Sequence, residues 1–238
     1  MKSDSKSHAF SRDVAKRVRR SRRAYVMCSA KNGNVEIRVE SRLEQSVAQV
    51  FELDPRVRSY RAQPFTLDLS TGDLLPEKHL IKPQGTMYYT PDFSVLLDEL
   101  QVVVEVKPRL FVEEQTEFLR LVRSALLSKG MRFIVISEDD FKGHYLRNVQ
   151  LFIPYLTQAS AALSQWAAPL QTLTPDRLKG PVRQILDTGL PANYQLAAGV
   201  LLGVVKFDLE IHQFELMDFE IAPAFGSLEA FEVIRYEL

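Results

Sequence analysis

Tyr89-Thr90-Pro91-Asp92-Phe93-Ser94-Val95-Leu96-Leu97, a short polar connection at Asp98 and Glu99, and then Val102-Val103-Val104-Glu105-Val106-Lys107-Pro108 decide how this chain is read. Both stretches are rich in β-branched and aromatic residues, and so few residues separate them that they read as a strand pair, 87–97 and 102–107. The second strand is apolar at successive positions up to Glu105. It therefore reads as central and buried, where a carboxylate and an ammonium are costly unless paired or bound to a cation. Lys107 lies one alternation from Glu105 and shares its face. Asp92 shares that face only if directly paired residues have numbers summing to an odd value. A two-residue turn at Asp98-Glu99 meets this by pairing Asp92 with Glu105, and a four-residue loop meets it by pairing Asp92 with Lys107. A three-residue loop would need a β-bulge to correct it. We expect one of these solutions.

Two carboxylates and a lysine on one sheet face suit phosphodiester hydrolysis. A hard divalent cation such as Mg²⁺ takes oxygen ligands, and Asp92, Glu105 and the Val106 carbonyl could supply them alongside water. Mn²⁺ would serve as a substitute. The cation polarises a phosphoryl oxygen and makes hydroxide available near neutral pH, while the Lys107 ammonium orients the attacking water or stabilises the developing charge. The competing reading is an ordinary ion pair on an exposed sheet face. Upstream, Ser41 stands three residues before Glu44, the spacing of a capping box, and opens an expected helix 42–53 with Leu43, Val47, Val50 and Phe51 on one face. Glu44 lies beside that apolar stripe, so it reads either as a cap or as a third carboxylate offered to the site.

Working further outward, 25–28 and 35–39 read as extended pieces around a turn at Lys31-Asn32-Gly33-Asn34. Strand-like 57–60 and 63–69 follow the helix. Downstream, 113–128 reads as a helix stopped by Gly130, and 131–136 as a buried strand. The core order αβββαβ makes this an α/β fold. Beyond about residue 148 the chain turns to alanine, leucine and glutamine, with Pro154, Pro169, Pro175, Pro181 and Pro191 expected to divide short helices, among them 175–187 and 192–202. A terminal strand pair, 204–209 and 214–221, gives this part a winged-helix-like reading. The domains are then a basic arm at 1–24, the core at 25–147 and a small helical domain at 148–238.

The 238 residues are 46% hydrophobic, enough for a real core, with a formal net charge of zero. Residues 1–23 nevertheless hold nine Lys/Arg against Asp4 and Asp13, a local charge of +7. Such an arm, including Arg17, Arg19, Arg20, Arg22 and Arg23, can neutralise phosphates and release counterions on DNA, or can be a solvated tail. Cys28 alone makes neither an internal disulfide nor a zinc site, and its thiol reads as packed. His8, His79, His144 and His212 are dispersed, which argues against a zinc hydrolase. No Gly-rich phosphate loop or Gly-x-Ser-x-Gly elbow is present. No apolar run is long enough for a membrane span, and no leader pattern opens the chain, so a cytoplasmic protein is expected.

The strand-pair layout resembles a PD-(D/E)xK nuclease centre. The order of further motifs, Arg17 to Arg23, Ser29 to Lys31, Glu40-Ser41-Arg42-Leu43-Glu44, Phe51 to Val57, Tyr60-Arg61-Ala62-Gln63-Pro64, then Tyr89 to Phe93 and Val104 to Pro108, resembles the TnsA endonuclease family of heteromeric transposons over roughly 16–140. The resemblance implies a restriction-endonuclease-like core, a central mixed sheet flanked by helices. It implies Glu44, Asp92, Glu105 and Lys107 as catalytic positions, with Glu44 assisting metal binding, and Lys31 beside the arm arginines as DNA contacts. It also implies hydrolysis of the strands at the 5′ ends of a cut-and-paste element, a TnsB-type transposase and a TnsC-type AAA+ ATPase as partners, and a bacterial, nucleoid-associated setting. A stand-alone restriction or repair nuclease sharing the core, and a nuclease-derived DNA-binding scaffold, are the competing readings.

Overall fold

The computed structural model describes residues 24–75 and 85–236. The basic arm, with the expected contacts at Arg17, Arg19, Arg20, Arg22 and Arg23, lies outside the described residues. Two compact units are present. One takes the described residues 24–48, 56–75, 85–140 and 235–236, and the other takes 49–55 and 141–234.

The first unit is organised by a mixed sheet with helices, as the α/β reading anticipates. A hairpin opens it: β1 (Tyr25–Ser29) pairs antiparallel with β2 (Val35–Val39). The turn between them uses positive φ at Gly33 and Asn34, residue types that tolerate it. Alternation along β1 turns Met27 and Ser29 inward and leaves Cys28 exposed, so the thiol is not packed. Helix α1 (Arg42–Leu53) follows, with Val47, Val50 and Phe51 buried at the spacing of one helical face.

Strand β3 (Ser59–Ala62) lies at the edge of the central sheet, and β4 (Thr66–Asp68) and β5 (Leu74–Leu75) form a side sheet with β6 (Tyr88–Tyr89). The expected single strand 87–97 is broken. Thr90, Pro91 and Asp92 separate β6 from β7 (Phe93–Leu96), because Pro91 has no N–H for a ladder and the Thr90 hydroxyl pairs with that of Thr66 at 2.9 Å. The central sheet runs β3-β7-β8-β9, with β8 at Gln101–Val106 and β9 at Arg132–Ile136. The β3–β7 and β7–β8 pairs are antiparallel, and β8–β9 is parallel.

The parallel pair requires a helical crossover. It is made by α2 (Arg109–Glu114) and α3 (Thr116–Leu127) rather than by one helix at 113–128. The break falls where the Thr116 hydroxyl donates to the carbonyls of Val112 and Glu113, competing with a continuous ladder. Helix α3 buries Leu119, Val122 and Leu126 against Val103, Phe133, Leu67 and Tyr89. Each such side chain contributes about 1.5–3 kcal/mol by leaving water. This cluster roofs the β8–β9 half of one sheet face.

The second unit contains α4 (Tyr145–Gln158), α5 (Leu163–Gln171), β10 (Gly180–Pro181), α6 (Val182–Ile185), α7 (Ala192–Leu201), β11 (Val205–Lys206) and β12 (Glu220–Pro223). Several prolines act differently from expectation. Pro154 and Pro169 sit inside α4 and α5 instead of dividing helices. In α4 the burial of Tyr145, Val149 and Phe152 outweighs the roughly 3 kcal/mol penalty of an interior proline. The expected helix 175–187 is interrupted, because Gly180 adopts φ 135° and Pro181 joins a sheet of order β10-β12-β11.

The terminal hairpin is also shorter than 204–209 and 214–221, pairing Val205 with Pro223 and Lys206 with Ala222. Turns fill the interval. Asp208 accepts hydrogen bonds from the N–H groups of Glu210 and Ile211, while buried Asn148 donates to the carbonyls of Leu209 and His212 and accepts from Phe214 N–H.

Gly143 in this unit has φ 50°, and a Cβ there would overlap the backbone oxygen of Glu210, which already accepts the His144 N–H. Backbone cannot yield as a flexible side chain does. Gly143→Ala is expected to cost more than about 2 kcal/mol, read as a lowered thermal midpoint of the second unit. An unchanged midpoint would contradict the close approach.

Candidate active site

The hairpin adopts the two-residue solution. Leu97 N–H donates to the Leu100 carbonyl, and β7 pairs with β8 as Phe93 with Val104 and Leu96 with Gln101. Continuing this odd-sum register by one residue sets Asp92 opposite Glu105. The Val106 N–H donates to Asp92 Oδ2 at 2.8 Å, tying the carboxylate to the next strand. Glu105 is buried, one oxygen 2.6 Å from Lys107 Nζ and the other accepting from the Tyr89 hydroxyl at 2.5 Å.

Glu44 is 7% exposed. Its backbone N–H donates to Ser41 Oγ while its Oε2 accepts the Glu40 N–H, so the capping arrangement forms with the return bond one residue earlier than Ser41. The same carboxylate stands close enough to interact electrostatically with Glu105 and Asp92. The cap and the cluster are therefore two roles of one residue's position. Lys31 Nζ donates to the Val57 carbonyl at 2.8 Å and is engaged in holding a loop.

The charges are out of balance. Burial, and then the charges of Glu105 and Glu44, push the Asp92 carboxyl well above the usual carboxylate range despite the Val106 N–H and Lys107. Burial also raises Glu44, opposed by its bonds from Glu40 and Ser41. Burial acts to lower Lys107, but the Glu105 charge and hydrogen bond outweigh it and the ammonium is raised above its ordinary value. Burial, followed by the Glu105 charge, raises the Tyr89 phenol well above its own, so it remains a donor. Three carboxylates thus share one ammonium in a partly desolvated corner.

That imbalance is what a hard cation would relieve, and the donors are all oxygen, so the residues fit such an ion. Among the described residues no three Asp, Glu, His or Cys side chains close around one ion. Asp92 and Glu105, with backbone and solvent oxygens, are the residues that could hold such an ion.

Two further residues of the site escaped the sequence reading. Tyr89 lies three positions before Asp92, an odd separation that a continuous strand would turn to the opposite face; the break at Pro91 removes that constraint. Gln63 donates its N–H to the Asp92 carbonyl, has φ 49°, and buries an amide oxygen with no hydrogen-bond partner. Such a backbone costs about 1–3 kcal/mol and tends to persist near functional sites. Pro64 after it signalled extended backbone instead.

The fold and this cluster define a nuclease-type α/β domain, a mixed sheet flanked by helices with acid and lysine side chains at one corner. Residues 54–138 match the family model described as TnsA-like endonuclease N terminal, so that segment of the chain is similar to TnsA-like endonucleases. The match includes Asp92, Glu105 and Lys107 and begins after Glu44. No curated protein matches the chain. Among the described residues no helix is long and apolar enough to cross a membrane.

Proposed function

We propose that the chain is the Mg²⁺-dependent endonuclease of a cut-and-paste transposon, hydrolysing the strands at the 5′ ends of the element together with a TnsB-type transposase and under a TnsC-type ATPase. The observation that carries the reading is the Asp92–Glu105 pair, set opposite by register, with Lys107 on the Glu105 carboxylate, inside a TnsA-like segment.

Asp92, Glu105 and the Val106 carbonyl would hold the cation, with Glu44 adding negative charge at the same corner. The bound ion would supply Lewis acidity toward the scissile phosphate and favour hydroxide near neutral pH. Lys107, kept protonated by Glu105, donates toward the phosphate oxygens as charge builds on them. Tyr89 holds the second Glu105 oxygen and so fixes that carboxylate's rotamer. Asp92 is held by Val106 N–H in the orientation that its strand-end position sets.

The reading is tested by reconstituting wild-type protein, Mg²⁺, a transposon-end duplex and the transposase, and mapping each cut strand. Wild type is expected to cut at the 5′ ends, and Glu105→Ala to leave them intact while retaining its circular dichroism. No 5′ cut by wild type, or equal cutting by the variant, would remove the proposal.

A further inference from the structure

The residues of β8 that face the cluster are Gln101, Val103 and Glu105, and those of β7 are Ser94 and Leu96, on the face Asp92 joins. Register carries the same face onto β3, where Arg61 pairs with Ser94 and Ser59 with Leu96. Helix α3 packs on Val103 of β8 and Phe133 of β9, in a cluster that Phe65 also joins. The β3–β7 half carries a groove of about 390 Å³, lined among others by Ser59, Arg61, Phe65, Ser94, Leu96 and Gln101.

Arg61 is the one charged side chain in that lining, and no carboxylate lines it. Among the described residues it is exposed and makes no ion pair, whereas Arg58 three positions earlier is taken by Asp98 at 2.6 Å. Its place relative to the cluster follows from sheet dimensions. One strand spacing and two residues of rise separate its Cα from that of Asp92, about 8 Å, within reach of a guanidinium extended toward a neighbouring phosphate. The groove's remaining polar groups are neutral, with Gln101 Nε2 donating to Ser94 Oγ at 2.8 Å. A single free guanidinium over neutral donors and an apolar floor complements the anionic phosphodiester backbone and offers nothing to a cationic surface.

We infer that this groove seats the DNA strand flanking the cut, and that Arg61 contacts a phosphate next to the scissile one. The inference rests on the nuclease reading of the Asp92–Glu105 corner and adds where the substrate lies on the sheet. Arg61 positions substrate through a backbone phosphate, so its contribution is independent of base sequence.

The test measures binding of the full-length chain to a fluorescein-labelled duplex by anisotropy across a salt series, with Ca²⁺ in place of Mg²⁺. Arg61→Ala is expected to weaken binding several-fold and to flatten the plot of log affinity against log salt by about 0.9, one phosphate's worth of counterion release. Arg61→Lys restores the slope. Arg123→Ala, which removes an exposed arginine on α3 outside the groove, leaves it unchanged. An Arg61→Ala slope equal to wild type, or an equal loss in Arg123→Ala, overturns the inference. Failure here is separable from failure of the nuclease reading, which is judged by strand cutting in Glu105→Ala, whatever the salt slope shows.

Discussion

Asp92→Asn is expected to lower strand cleavage on the order of a thousandfold while making the metal-free protein more stable above the carboxylate range. The two effects have one cause. Asp92 sits against Glu105 and Glu44, and its carboxyl is raised by burial first and by those charges next. A raised acid favours the folded state most below its unfolded pKa, where it is protonated in both states. That contribution is lost as pH climbs through the folded pKa, because the folded protein must then hold a charge that the unfolded chain holds more easily. Asparagine keeps the shape and can still accept the Val106 N–H through its amide oxygen, but never ionises. The wild-type thermal midpoint should therefore fall relative to Asp92→Asn as pH rises through and above the carboxylate range, with the two converging in acid. Adding Mg²⁺ or Mn²⁺ should raise the wild-type midpoint by binding the folded state and leave the variant nearly unmoved. Parallel pH profiles with no cation response in either protein would mean that Asp92 is not part of a cation site.

The register of this corner is partly legible in the sequence because strand alternation is an integer constraint: if Asp92 shares the face of Glu105 and Lys107, the sum is odd, which a two-residue turn, a four-residue loop or a bulge could meet, and the structure takes the two-residue turn at Asp98-Glu99. Ser41 and Glu44 were legible for a similar reason, since a cap has a fixed spacing. What escaped depends on breaks in regularity. Pro91 ends β6 and lets Tyr89 face Glu105, and Gln63 takes a left-handed backbone that Pro64 argues against. The second unit was misread through its prolines. Pro154 and Pro169 read locally as stops, yet a buried face spanning α4 outweighs a missing hydrogen bond, and that face is assembled from residues such as Phe214 and Phe231 far along the chain. Local rules hold where the local term is the larger one. In β7–β8 it is, and in α4 tertiary burial is.

Tyr89 permits the sharpest separation of packing from chemistry. The ring is buried with Leu67, Val103, Leu119 and Phe133, edge-on to Phe118 and Phe133 at centroid distances of 6.0 and 6.3 Å. Tyr89→Ala should cost about 3–5 kcal/mol from lost burial and the remaining cavity, with a further penalty for leaving a Glu105 oxygen without its donor. Tyr89→Phe keeps the ring and removes only the hydroxyl, so its stability loss should be about 1.5–3 kcal/mol, the value of a hydrogen bond to a charged group. Cleavage should nonetheless fall about 10- to 100-fold in the folded Tyr89→Phe protein, because Glu105 is then held by Lys107 alone and its second oxygen can leave the orientation a cation requires. The Mg²⁺ concentration for half-maximal cleavage should rise, and calorimetric titration with Mn²⁺ should show the weaker binding directly, without turnover. If Tyr89→Phe binds Mn²⁺ and cuts as wild type does, the 2.5 Å contact is a core hydrogen bond and nothing more. A shift in metal affinity in the folded Tyr89→Phe protein, whose ring packing is kept, would assign the phenol to the site, since loss of packing cannot produce it.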